Sequence, residues 1–217
     1  MLFPSLLPLA AVGWLSTTPA APEQQHPATI TEAAQLAVAE SERQAASSMV
    51  AVTLYDENHP ETKVVYIGRD GTVDDETRKE LQRLFRCKRT DRQKKVDKGM
   101  LAMLADVAAR YPGHTIEFVS GYRATDRHSS RHWQGRALDF RIKGVKMTEV
   151  RDYIWATHTQ LGLGWYPEDG FIHMDHREDD GDIAWTATNH VNHYHPSWSK
   201  RVRRGEQLKR REDRVGL

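Results

Sequence analysis

Apolar positions along the middle of the chain repeat with two different periods. Met49 to Tyr55 alternates loosely, and Lys63 to Ile67 takes up the alternation after a Pro-containing turn, which predicts a short hairpin. Behind the acidic start Asp74, Asp75 and Glu76, the residues Leu81, Leu84 and Phe85 fall at helical spacing, so Asp74 to Phe85 is predicted as a helix. Lys98 to Tyr111 is a second, with Met100, Leu101, Leu104, Val107 and Ala108 on one stripe and Pro112-Gly113 to stop it. Thr115 to Val119 reads as a buried strand, and Met147 to Gln160 as a third amphipathic helix carrying Val150, Tyr153, Ile154 and Thr157. Helices interleaved with short strands define an α+β domain over residues 49–199, with a small antiparallel or mixed sheet flanked by helices.

The two ends read differently. Met1 to Pro22 contains no charged side chain, and its apolar clusters lead into Ser16-Thr17-Thr18-Pro19-Ala20-Ala21, the pattern of a secretory signal over residues 1–21. An uncleaved anchor is the alternative, and either places the remainder outside the cytosol, in the periplasm or cell envelope. Residues 22–48, rich in Ala, Gln, Glu and Ser, read as a spacer that is helical around Ala34 to Glu40. The whole chain of 217 residues carries 31 Lys/Arg and 30 Asp/Glu, but Lys200 to Leu217 hold eight of those cations against three acids. That leaves 23 against 27 in the rest, and a slightly acidic body argues against a nucleic-acid-binding face. The basic tail, residues 200–217, is either a solvated end or an electrostatic contact with an anionic wall polymer or membrane. The lone Cys87 excludes an intrachain disulfide and any zinc site built from several thiolates, so a metal has to be held by His, Asp or Glu.

Candidate chemistry concentrates in the second half of the domain. Ala137 to Ile142 alternates, so a strand there turns Leu138, Phe140 and Ile142 to a core and Ala137, Asp139 and Arg141 to the opposite face. Phe171 to Asp175 alternates likewise, with Ile172 and Met174 inward and His173 and Asp175 on the other side. His132, seven residues before Asp139 and just before Gly135, offers a third ligand from a loop. Two imidazoles and one carboxylate make a three-ligand zinc set that leaves a position open, the arrangement of a catalytic centre. The competing reading is three side chains unrelated in space, because 11 histidines make chance triplets easy.

The blocks Ser120-Gly121-Tyr122-Arg123, Ser130 to Phe140, Gly162 to Pro167 and Phe171 to Asp175 resemble, in order and spacing, the zinc D-Ala-D-Ala peptidase superfamily of the Hedgehog/DD-peptidase fold. Within it they are most similar to the murein endopeptidase K branch, and the resemblance runs from about Leu54 to Asp175. It implies an exported zinc metallopeptidase, with one Zn2+ per chain, that hydrolyses amide bonds in peptidoglycan peptides as a cross-link endopeptidase. It implies His132, Asp139 and His173 as the zinc ligands and Arg123 as the arginine that touches the substrate; the other reading of Arg123 is a salt bridge to an acid such as Asp126. Superfamily members often place a Glu or Asp three residues before the last histidine ligand, where this chain has Gly170. Asp175 is therefore expected to accept the water proton, with Glu168 and Asp169 as alternatives and a ligand-orienting role as the other reading of Asp175. The missing acid keeps a zinc-retaining, non-catalytic wall-binding module in view, and a D,D- or L,D-carboxypeptidase is the other enzymatic reading. His128, His158 and His176 read as ordinary exposed or hydrogen-bonded residues, with His176 close enough in sequence to contact substrate, the His190, His193 and His195 segment as an adventitious metal binder, and Trp133, Trp165 and Tyr166 as cleft-lining or core aromatics. The chain is read as a monomer with a peptidoglycan peptide as its partner.

Overall fold

The alternation at the start of the domain folds into an antiparallel hairpin of β1 (Met49–Asp56) and β2 (Glu61–Gly68). A computed structural model describes residues 34–38, 40, 48–178, 180–203 and 205. The predicted export segment, most of the spacer and most of the basic tail lie outside the described residues. Residues 1–42 form one unit and 43–217 another. In the first, residues 34–38 and 40 are helical, with Leu36 and Val38 exposed. No helix among the described residues is long and apolar enough to cross a membrane.

In the second unit α1 (Asp75–Leu84) begins where Asp74 caps it, the carboxylate accepting from the Thr77 backbone N–H at 2.7 Å. Asp97 caps α2 (Lys98–Arg110) in the same way through Met100 N at 3.0 Å. After β3 (Thr115–Ser120) come a single helical turn, α3 (Arg131–Gln134), then β4 (Ala137–Ile142), α4 (Met147–Thr157), β5 (Leu161–Tyr166), β6 (Phe171–His176), β7 (Ile183–Thr188) and β8 (Val191–Tyr194). The eight strands form one mixed sheet in the order β2-β1-β3-β4-β6-β5-β7-β8. β1 with β3 and β5 with β7 are parallel; the other neighbours are antiparallel.

One face of the central strands carries Leu138, Phe140, Leu161, Leu163, Ile172 and Met174, none of them accessible to solvent, which pack with Leu104 and Val107 of α2 and Val150 and Ile154 of α4. Each such side chain contributes on the order of 1.5–3 kcal/mol by leaving water. The opposite face is buried as well, and there it includes charged and polar side chains: Asp139, His173 and Asp175 are 2%, 8% and 1% exposed. Charged groups are seldom buried without partners, so this face demands an electrostatic explanation. Beyond β8, residues 197–203 are helical, past the point where the sequence places the tail. Trp198 is buried against Trp155, and Arg203 lies over the Trp155 ring, 2.7 Å from Asp182 in an ion pair that lacks hydrogen-bond geometry.

Candidate active site

The Ser-x-His-x-x-Gly spacing is a capped and closed helical turn. The Ser130 hydroxyl accepts from the Trp133 N–H to open α3, and Gly135 closes it at a φ of 72°. A Cβ at Gly135 would fall 2.4 Å from the Lys95 carbonyl oxygen, so both conformation and space call for glycine. The turn presents His132 to the polar face of the sheet, where Asp139 and His173 are direct partners in the β4–β6 ladder. Directly opposed residues share a face, so register alone brings these two together.

Three ligand atoms converge there. His132 Nε2 and His173 Nδ1 are 3.1 Å apart, and Asp139 Oδ1 lies 2.8 Å from His173 Nδ1 and 3.2 Å from His132 Nε2. A tetrahedral zinc ion with bonds of about 2.0–2.1 Å sets its ligand atoms about 3.3 Å apart, close to this triangle. The outer ring nitrogens fix the tautomers. His132 Nδ1 donates to the Gly121 carbonyl oxygen at 2.6 Å, and His173 Nε2 donates to Asp175 Oδ2 at 3.0 Å. Both inner lone pairs therefore point at the Asp139 carboxylate, an arrangement that repels unless a cation or a proton stands between them. Among the described residues this is the one group of three ligand-type side chains with its ligand atoms within 4.8 Å of each other. The donor set fits a divalent metal ion.

Protonation in the metal-free protein follows the same geometry. Burial opposes charge on both groups, but the His132 and His173 imidazoles hold the Asp139 carboxyl far below the usual carboxylate range. Burial likewise favours neutral His173, yet hydrogen bonds to Asp139 and Asp175 raise it to about 9. Burial would raise Asp175 too, and His173 and Arg177 bring it below its ordinary value instead.

Arg123 meets Asp139 rather than Asp126: one of its Nη atoms donates to Asp139 Oδ2, and its Nε donates to Ser120 Oγ at 2.8 Å. Asp126 instead accepts from the Ser130 hydroxyl at 2.9 Å. The guanidinium is 41% exposed and faces a cavity of about 290 Å3 that reaches Asp139. Asp175 stands behind His173, on the side away from Asp139, and its carboxylate is shared with Arg177 Nε at 2.7 Å and Nη2 at 3.2 Å. A Cβ at Gly162 would lie 2.0 Å from Asp175 Oδ2, so glycine there admits this ion pair. Glu168 and Asp169 are exposed in the turn between β5 and β6, which Gly170 closes at a φ of 68°, and Glu168 accepts from Asn189 N at 3.2 Å.

The remaining aromatics and histidines separate by face. Trp165 packs on the core side, near Arg151, and Trp133 is stacked by His128 and Lys94 away from the cluster. Tyr166 shares the polar face, stacked on Phe171 at 4.5 Å, and accepts from Trp185 Nε1 at 3.3 Å. Trp185 lies 5.1 Å from His173, ring to ring, over Gly164, where a Cβ would sit 2.5 Å from the indole. Its place beside the cluster is legible only once β7 is paired with β5. His158 binds Asp106 at 3.0 Å and His176 binds Asp97 at 2.6 Å, ordinary partnered residues as expected.

Two imidazoles and a carboxylate converging on one buried face form the donor set that catalytic zinc centres use. A family model described as peptidoglycan L,D-endopeptidase MepK matches residues 44–179, and the chain belongs to that family of murein peptidases. The peptidoglycan L,D-endopeptidase MepK of Escherichia coli K12 is 27% identical over 129 residues, covering 52% of this chain and 68% of the relative. The Shigella flexneri protein of the same name matches to the same extent. The probable peptidoglycan L,D-endopeptidase MepK of Haemophilus influenzae is 30% identical over 111 residues, 45% of this chain and 59% of the relative. No solved structure gave a match.

Proposed function

We propose that the protein is a zinc-dependent peptidoglycan endopeptidase of the cell envelope that hydrolyses an amide bond within stem-peptide cross-links, of L,D type as in its relatives. The observation that carries this reading is the convergence of His132 Nε2, Asp139 Oδ1 and His173 Nδ1 within 3.2 Å, each histidine held from behind by an acceptor. His132, Asp139 and His173 hold the ion, and zinc bound there supplies an acidified water and polarises the amide carbonyl. Arg123 keeps Asp139 oriented through Oδ2 and directs its remaining N–H groups into the cavity, where they stabilise the oxyanion that forms as the amide is attacked. Asp175 holds the His173 ring and its tautomer, and its place behind that ring favours this role over proton transfer from the water. Tyr166, whose oxygen accepts from Trp185, retains its own proton for a substrate acceptor.

The test is digestion of purified sacculi by the zinc-loaded protein with and without a chelator, followed by mass analysis of the released muropeptides. New, chelator-sensitive products that map to one cross-link amide support the reading and identify the bond. Stoichiometric zinc with no new product would overturn it in favour of a binding module, the reading that Gly170 keeps in view by occupying the position of the usual acid.

A further inference from the structure

The cavity beside Asp139 is lined from several segments: Ser120–Arg123, which serves the cluster; Asp56, Asn58 and His59 at the β1–β2 turn; and Arg86, Cys87, Lys88 and Arg89, from the loop that follows α1. From Arg86 to Lys98, the first residue of α2, the chain carries seven Lys/Arg and two Asp in thirteen residues, whereas the rest of the domain holds more acids than cations. The loop is fixed in place. Cys87 N donates to Arg92 O at 2.9 Å, Asp91 N donates to Cys87 O at 2.8 Å, and Tyr122 N donates to Phe85 O at 2.8 Å. Gly121 sits so close to Phe85 that a Cβ there would approach the Phe85 Cβ to 2.7 Å. The basic turn is thereby docked on the same segment that positions Arg123.

The charged groups of this cavity are not equally engaged. Asp139 is engaged by Arg123, Asp126 by the Ser130 hydroxyl, and the buried Asp56 by Asn58 N and His59. Arg86 is held by Asp91 at 3.3 Å and by the Arg83 carbonyl oxygen at 2.8 Å. Lys88 and Arg89 have no acid partner among the described residues and are exposed at the mouth. Unpaired cations on a preformed wall attract an anion, and an arginine fork suits a carboxylate. A volume of about 290 Å3 admits a group the size of one amino-acid residue rather than a length of polymer.

We propose that Lys88 and Arg89 form a subsite for a free carboxylate on the substrate peptide, next to the scissile amide, so that the enzyme selects cross-links whose flanking carboxyl is unmodified. The inference rests on the peptidase reading above. Its test compares two synthetic cross-linked peptides that differ only in that carboxyl, free in one and a carboxamide in the other, with the zinc-loaded wild type and a K88A/R89A variant. Both substitutions are exposed, and zinc content and melting temperature verify that the variant is folded. The wild type is expected to favour the carboxylate peptide by about ten- to a hundredfold in kcat/KM, chiefly through KM, as charge-assisted hydrogen bonds imply. In the variant the two substrates converge. Equal kcat/KM on both peptides in the wild type, or an undiminished preference in the folded variant, overturns the subsite while leaving the peptidase reading intact. A wild type that cleaves neither peptide overturns the peptidase reading, and the subsite with it.

Discussion

Replacing Asp175 by asparagine separates an orienting role from proton transfer. The carboxylate uses one oxygen for Arg177 Nε at 2.7 Å and the other for His173 Nε2 at 3.0 Å and Arg177 Nη2 at 3.2 Å. Asparagine has a single acceptor oxygen. If that oxygen serves His173, the amide nitrogen faces the Arg177 guanidinium; if it serves Arg177, two N–H groups confront each other at His173. One donor loses its partner in a site where Asp175 is 1% exposed, a loss of about 1–3 kcal/mol in stability. Loss of such an orienting partner typically weakens metal binding by about 10- to 100-fold, or about 1.4–2.7 kcal/mol. Zinc affinity is measured by competition with a chromophoric chelator, and kcat at saturating zinc with a cross-linked peptide. The expected result is weakened zinc binding with a kcat at saturating zinc within about tenfold of wild type. Unchanged affinity with kcat lower by about 10²-fold or more would instead make Asp175 the proton acceptor.

Other substitutions and conditions follow from the same geometry. Gly162→Ala drives a Cβ into Asp175 Oδ2, which His173 and Arg177 pin, and should lower stability by about 1–3 kcal/mol in a denaturant titration; an unchanged midpoint would contradict the close approach. Arg123→Ala should lower kcat by about 10²- to 10³-fold and zinc affinity by much less, and equal losses of both would remove its oxyanion role. Tyr166→Phe should lower kcat by roughly 3- to 10-fold with zinc affinity unchanged, whereas an unaltered kcat means that its hydroxyl meets no substrate atom. In chelator-treated protein the raised His173 value of about 9, against an ordinary 6.5, contributes stability that is complete below pH 6.5 and is lost as pH rises through 9. Thermal melts across that window should decline, and a flat profile would exclude the imidazolium between Asp139 and Asp175.

The parts of the site legible in the sequence are those fixed by strand parity. Alternation in Ala137–Ile142 and Phe171–Asp175 separates Leu138 and Ile172 from Asp139 and His173 because one face must be apolar. The hairpin and the three longer helices emerge from periodicity as well, with Asp74 marking a start and Pro112-Gly113 a stop, whereas the turn that carries His132, expected as a loop, is too short to show a helical period. β5 lacks that signal, since Gly162 and Gly164 occupy the positions facing the site, and glycine is a poor strand former. Once β5 is a strand, parity sends Trp165 to the core and Tyr166 to the cluster, a division the composition of the segment conceals. β8, exposed at all four positions, has no alternation to read. For Asp175, parity correctly predicts the face shared with His173. Its side of the imidazole depends on His173 turning Nδ1 inward, and ring orientation leaves no trace in residue spacing.

The ladder that pairs Asp139 with His173 also ties the candidate ligand set to the alignment of two strands. A slip of one residue between β4 and β6 would oppose a ligand to an apolar neighbour and destroy the ion-binding triangle along with the core. An ion bound at that set would stabilise only molecules with the correct alignment. Bound metal, measured per molecule, would then report how much of the protein carries that strand alignment.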